Sequence, residues 1–94
     1  MSTSGLTENT FRSKAKTAVV DYWNATPSLV KKFGEINARR VYIVWQVKVL
    51  QNSKALLGVN TEGDDRYFEF TFDGDANLAY LDVYKKQTQR VIEY

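Results

Sequence analysis

The chain contains no cysteine and no histidine. The first absence removes disulfides, thiolate metal sites and cysteine nucleophiles, and it permits a reducing compartment. The second removes the commonest general base and, with the first, the usual zinc ligands and every Ser–His or Cys–His arrangement. Carboxylates, lysine, tyrosine and hydroxyls remain, a poor set for catalysis, so a non-enzymatic protein with no catalytic residue, cofactor or metal is expected. Long apolar runs are missing too. None approaches the ~20 residues of a membrane span, and Met1–Thr10 is polar, unlike a signal peptide, so the expectation is a cytoplasmic protein without membrane contact. Charge of one sign is also scarce: 13 Lys and Arg against 11 Asp and Glu leave +2. That bias is too small to imply nucleic acid or an anionic membrane unless the charges segregate.

What is present reads as an ordinary globular chain, with 44% hydrophobic and 26% charged residues in 94, enough for one two-layer core. Residues 1–5 are expected to be a disordered tail and 6–94 a single α+β domain. The organising stretch is Val41–Leu50, the longest run of β-branched and aromatic residues. Strict alternation places Val41, Ile43, Trp45, Val47 and Val49 on one face, predicted to be core. Tyr42, Val44, Gln46, Lys48 and Leu50 fall on the other.

Upstream, Thr7 is a plausible N-cap with Glu8 in the first turn and Leu6 placed to staple onto Phe11. Phe11, Ala15, Ala18, Val19, Tyr22 and Trp23 recur at helical spacing and form the lid for the odd face of strand 41–50. Arg12, Lys14, Lys16 and Asp21 face solvent. Thr26-Pro27 opens a short second helix over Ser28–Phe33, closed by Gly34. Downstream, Gln51-Asn52-Ser53 has turn chemistry, and Lys54–Asn60 reads as a strand with Gly58 as a bulge or close-approach point. Tyr67–Phe72 alternates so that Phe68, Phe70 and Phe72 face the core. Asp73–Asn77 is a hairpin loop, and Leu78–Lys85 is a strand with Ala79, Leu81 and Val83 inward. Lys86-Gln87-Thr88 turns once more, and Gln89–Tyr94 offers a short fifth strand. The fold predicted is one long N-terminal helix, with the short second helix, packed on one face of a four- or five-stranded antiparallel meander. Phe11, Val19, Trp23, Ile43, Trp45, Phe68, Phe70 and Leu81 are expected to share its core.

Three groups of residues invite a functional reading. Asp73, Asp75 and Asn77 have the spacing of a calcium loop's first ligands, but Leu78 stands where glycine belongs and Tyr84 where glutamate belongs, so a hairpin loop is the better reading. Glu69 and Asp82, on adjacent strands, resemble an acid/base pair. Beside Lys48 they read more simply as a cross-strand charge set. Tyr42, Val44, Tyr67, Tyr80 and Tyr84, with Leu50, would share the outer face of the sheet and make a partner-binding surface. With Lys48, Lys86 and Arg90, and the basic residues Lys31, Lys32, Arg39 and Arg40, such rings would suit single-stranded nucleic acid. Glu69 and Asp82 would repel phosphate, so a protein partner or a homodimer contact fits better.

Read together, Ala15–Tyr22, Val41–Trp45, Leu50–Leu57, Tyr67–Thr71 and Tyr80–Lys85 resemble a family of small uncharacterised proteins from phages and prophages of Gram-positive bacteria. The likeness spans roughly Phe11–Lys85 and carries no catalytic signature. What it implies is a phage-encoded accessory protein that acts in the host cytoplasm by binding and modulating a host macromolecule, most simply a protein.

Overall fold

A computed structural model of the chain describes residues 7–64, 66–85 and 90–93. Helix α1 (Glu8–Asn24) and helix α2 (Pro27–Phe33) lead through a short 3-10 turn (Ala38–Arg40) into four strands: β1 (Val41–Val49), β2 (Asn52–Val59), β3 (Arg66–Asp73) and β4 (Leu78–Lys85). The strands form one antiparallel sheet in the order β1-β2-β3-β4, a meander with α1 across one face, as the α+β expectation had it. The tail 1–5, the Leu6 staple and the turn 86–88 lie outside the described residues. The fifth strand does not form over the described 90–93, which are exposed and irregular.

The N-terminus of α1 is capped by Thr7, whose hydroxyl accepts from the Thr10 amide at 3.2 Å. Its buried row is Phe11, Ala15, Val19 and Trp23, a strict four-residue repeat that drifts slowly round the helix, by about 40° per step. The row meets Ala55, Leu57 and Val59 of β2 and Phe68, Phe70 and Phe72 of β3. Phe11 packs on Phe70 with ring centroids 5.6 Å apart, and Tyr22 meets Phe68 edge-on at 5.9 Å. Each large side chain so covered contributes roughly 1.5–3 kcal/mol. The indole N–H of Trp23, fully buried, donates to the Gly34 carbonyl at 3.1 Å, so the ring enters the core with its polar group satisfied.

Gly34 ends α2 at φ 82°, a conformation that favours glycine, and Leu29 and Ile36 join the core as expected. Thr26 does not cap α2 with its side chain. Its hydroxyl donates to the Tyr22 carbonyl at 2.6 Å, satisfying the end of α1 instead of the start of α2. Asn24 exchanges two hydrogen bonds with the backbone of Ile36, both 2.9 Å, and pins the connector against the helix end. The first hairpin turns at Leu50-Gln51, one step earlier than predicted, and Asn52 and Ser53 already belong to β2.

The largest departure from expectation lies in β1. Its register with β2 is Val41↔Val59, Tyr42↔Gly58 and Ile43↔Leu57, then jumps to Trp45↔Leu56 and Gln46↔Ala55. Val44 is the extra residue of a bulge. Because side chains alternate strictly, one extra residue exchanges the faces of everything beyond it. Val41 and Ile43 keep the helix side. Gln46 and Lys48, opposite buried Ala55 and Ser53, now share that side, and Trp45, Val47 and Val49 turn to the bare face. Gln46 accepts from Arg12 Nε at 2.8 Å and donates to Glu8 at 3.2 Å, both on α1. Trp45, expected in the core, is 44% exposed.

Replacing Trp23 or Phe68 with Ala is therefore expected to cost about 3–5 kcal/mol in urea denaturation, and Trp45→Ala about 1 kcal/mol or less. Equal losses at Trp23 and Trp45 would contradict the bulge.

Candidate functional site

The sheet face away from α1 has no second layer among the described residues. Register arranges it in rows that run across the strands. Tyr42 lies over Gly58 at one end, where a Cβ on the glycine would come within 2.5 Å of the phenol ring; the sequence had marked Gly58 as a close-approach point. Next along β3 and β4, Tyr67 and Tyr84 pair directly and stack at 5.0 Å with planes 14° apart. The second row is Trp45, Leu56, Glu69 and Asp82, and the third is Val47, Lys54, Thr71 and Tyr80. Val49, Asn52, Asp73 and Leu78 complete the face at the hairpin end. Tyr42, Trp45, Val47, Val49, Tyr67, Leu78, Tyr80 and Tyr84 are all exposed.

Of the five predicted partner-binding residues, Tyr42, Tyr67, Tyr80 and Tyr84 do share this face. Val44 does not join their rows. It has no cross-strand partner and lines a shallow hollow at the sheet edge with Arg12 and Lys16 of α1. Trp45, Val47 and Val49 were missed, since unbroken alternation assigned them to the core. The charge set also differs. Lys48 is on the helix side, and Lys54 takes its place on the bare face, with Nζ 3.5 Å from Glu69. The basic residues Lys31, Lys32, Arg39 and Arg40 belong to α2 and the 3-10 turn and take no part in this face. Arg40 is engaged with the Asn60 carbonyl, at 3.0 Å from Nε. Lys32 lies over the Phe33 ring at 5.3 Å from its centroid.

Between the middle row and the hairpin end, Val47, Val49, Lys54, Thr71, Asp73 and Tyr80 line an open depression of about 370 Å³. It is large enough for one or two side chains of a partner but does not enclose a small molecule. Electrostatically the face is acidic. Lys54 stands against Glu69, Asp73 and Asp82, and Glu69 lies directly opposite Asp82, a like-charge pairing that destabilises a sheet. The same charge raises the Tyr84 phenol above its ordinary pKa: Glu69 contributes most, then loss of water, then Asp82 and Tyr67. As an acid/base pair Glu69 and Asp82 lack any enclosure that would exclude water. The Asp73 carboxylate accepts from the amides of Asp75 at 3.1 Å and Ala76 at 3.2 Å, the work of a loop rather than of an ion site. No cluster of three potential metal ligands occurs among the described residues.

Over residues 12–94 the sequence matches a family of unknown function (DUF6275). The chain belongs to that family. No curated protein and no solved structure matches it. The most distinctive surface of this DUF6275 protein is the acidic aromatic face.

Removing the Glu69 charge favours the phenolate beside it, so Glu69→Gln is expected to lower the Tyr84 pKa toward that of an ordinary tyrosine. Spectrophotometric titration of tyrosinate, with Tyr84→Phe to assign the shifted group, measures this. An unchanged titration would show that Glu69 does not face Tyr84.

Proposed function

We propose that this protein is a non-catalytic binding module that docks a protein surface against the bare sheet face. The observation that carries the reading is the Val44 bulge, which turns Trp45, Val47 and Val49 out of the core and beside Tyr42 and Tyr80. Without the extra residue the same alternation would place those three side chains on the helix side, so the bulge is what gathers them with the tyrosines on the open face. Tyrosine and tryptophan suit a docking contact because they offer large, rigid area at low entropic cost.

The charge pattern describes the partner. Glu69 opposite Asp82 is relieved by a cation between them, so a fitting surface brings a lysine or arginine to that pair and apolar groups to Trp45, Val47 and Tyr80. The likeness to small phage and prophage proteins extends the proposal: the protein is an accessory factor made in an infected cell, and its partner is a protein of the host cytoplasm. Nucleic acid is the second reading, supported by Lys31, Lys32, Arg39 and Arg40, all exposed and without an ion pair among the described residues. It uses a different surface, since phosphate is repelled from the acidic face.

Capture from nuclease-treated host lysate, compared between wild type, Trp45→Ser/Tyr80→Ser and Glu69→Lys/Asp82→Lys, tests the leading reading. A specific protein is expected with wild type, with at least tenfold loss in each folded variant. Retention by both variants places the contact elsewhere. The nucleic-acid reading expects single-stranded DNA or RNA to bind at low salt through Lys31, Lys32, Arg39 and Arg40. Affinity should fall with a log–log slope of about 0.7 per phosphate contacted.

A further inference from the structure

The two edges of the sheet are built differently. β1 is interrupted by the Val44 bulge, one of the devices that keep an edge from pairing with another chain. β4 has neither bulge nor proline, and its only charges are Asp82 and the terminal Lys85: Leu78–Lys85 pairs with β3 residue for residue over all eight positions. Among the described residues nothing pairs with its outer edge. Its helix-side residues Ala79, Leu81 and Val83 align with the buried Phe72, Phe70 and Phe68, yet Ala79 and Val83 are exposed and Leu81 only half-buried. α1 packs mainly on β1, β2 and β3, so that only Leu81 of this strip meets the core and its outer side stays open. β4 thus presents an unpaired backbone edge and an apolar strip at the same place.

We propose that β4 pairs antiparallel with β4 of a second copy about a two-fold axis at Leu81, joining two sheets into one of eight strands. Residues directly opposite in an antiparallel pair share a face, so each two-fold register centres on one residue and can be judged by what it opposes. Centring on Asp82 brings two carboxylates together. Centring on Tyr80 or Val83 shortens the overlap. Centring on Leu81 pairs Ala79 with Val83, Leu78 with Tyr84 and Tyr80 with Asp82, keeps nearly the whole strand, and opposes no like charges. It also joins the two Ala79-Leu81-Val83 strips into one apolar seam between the two helical layers, covering what α1 leaves bare. A closed two-fold contact of this kind uses up both β4 edges and stops at two copies. The proposal does not depend on the bare-face reading: both open faces stay on the same side of the joined sheet, available to a partner.

The absence of native cysteine makes the test clean. Opposed Cα atoms in an antiparallel pair lie about 4.5–5.5 Å apart, within disulfide range. Leu81→Cys, oxidised in dilute solution, is expected to give a covalent dimer in high yield, and Trp45→Cys, on the bare face, none. Sedimentation should show a reversible dimer for wild type and a folded monomer for Leu81→Lys, which sets two ammonium groups on the axis. A wild-type monomer at the highest soluble concentration overturns the proposal. So does a dimer that cross-links through position 45 and not 81, because copies would then meet face to face; a Leu81→Lys variant that remains a folded dimer likewise refutes this register.

Discussion

A single helix cannot cover a four-stranded sheet, and most of the architecture follows from that limit. α1 has 17 residues. At 1.5 Å per residue it is about 25 Å long, with a diameter of about 10 Å, while strands lie about 4.8 Å apart. One helix therefore covers about two strands. β2 and β3 are the two, and they hold Ala55, Leu57, Val59, Phe68, Phe70 and Phe72, the buried part of the sheet. At the flanks cover thins out: β1 buries only Val41 and β4 buries nothing fully. The short α2 packs against the end of α1, where Phe33 meets Trp23 at 5.6 Å, and adds little to the sheet.

That geometry accounts for the polar residues under the helix side of β1. Past Ile43 the strand lies beside the N-terminal turn of α1, where the exposed Glu8 and Arg12 are available. Gln46 is at home there and Trp45 would find no apolar neighbour layer, so the bulge at Val44 exchanges them. The consequence appears on the opposite side of the sheet, where apolar and aromatic groups collect beside the Glu69–Asp82 carboxylate pair, which meets a cation only at Lys54 among the described residues. The bulge follows from the limited reach of α1, whereas the like-charge pair does not favour folding; together they shape the surface proposed above to dock a partner.

The face is also held in shape at both of its ends. The Gly74 amide, at the β3–β4 turn, donates to the Gln51 carbonyl at 3.0 Å and to Asn52 Oδ1 at 3.2 Å, so the two hairpin turns at this end are tied together. At the other end Asn60 donates its amide to the Arg40 carbonyl at 2.7 Å and closes the mouth of the β1–β2 hairpin. A preorganised surface loses less entropy on docking, so more of the contact energy appears as affinity. One local strain stands out: Leu50, 86% exposed at the tip, sits at φ 56°, where a branched side chain is disfavoured.

Sequence by itself determined the elements and most of their faces. The four-residue repeat from Phe11 to Trp23, the Pro27 start and Gly34 stop of α2, the Phe68-Phe70-Phe72 alternation and the Asp73-Gly74 loop are local signals. Each depends on side chains and backbone preferences within a few residues, and each holds in the structure. Tyr42, Tyr67, Tyr80 and Tyr84 were legible as one face for the same reason. Tertiary structure decided the parity of β1 beyond Val44 and with it the membership of the candidate site. Val41, Ile43, Trp45, Val47 and Val49 alternate without a flaw, so nothing in the chain marks the bulge. It arises because a helix of finite width covers one part of the strand and not another, and that relation exists only once α1 and the sheet have met.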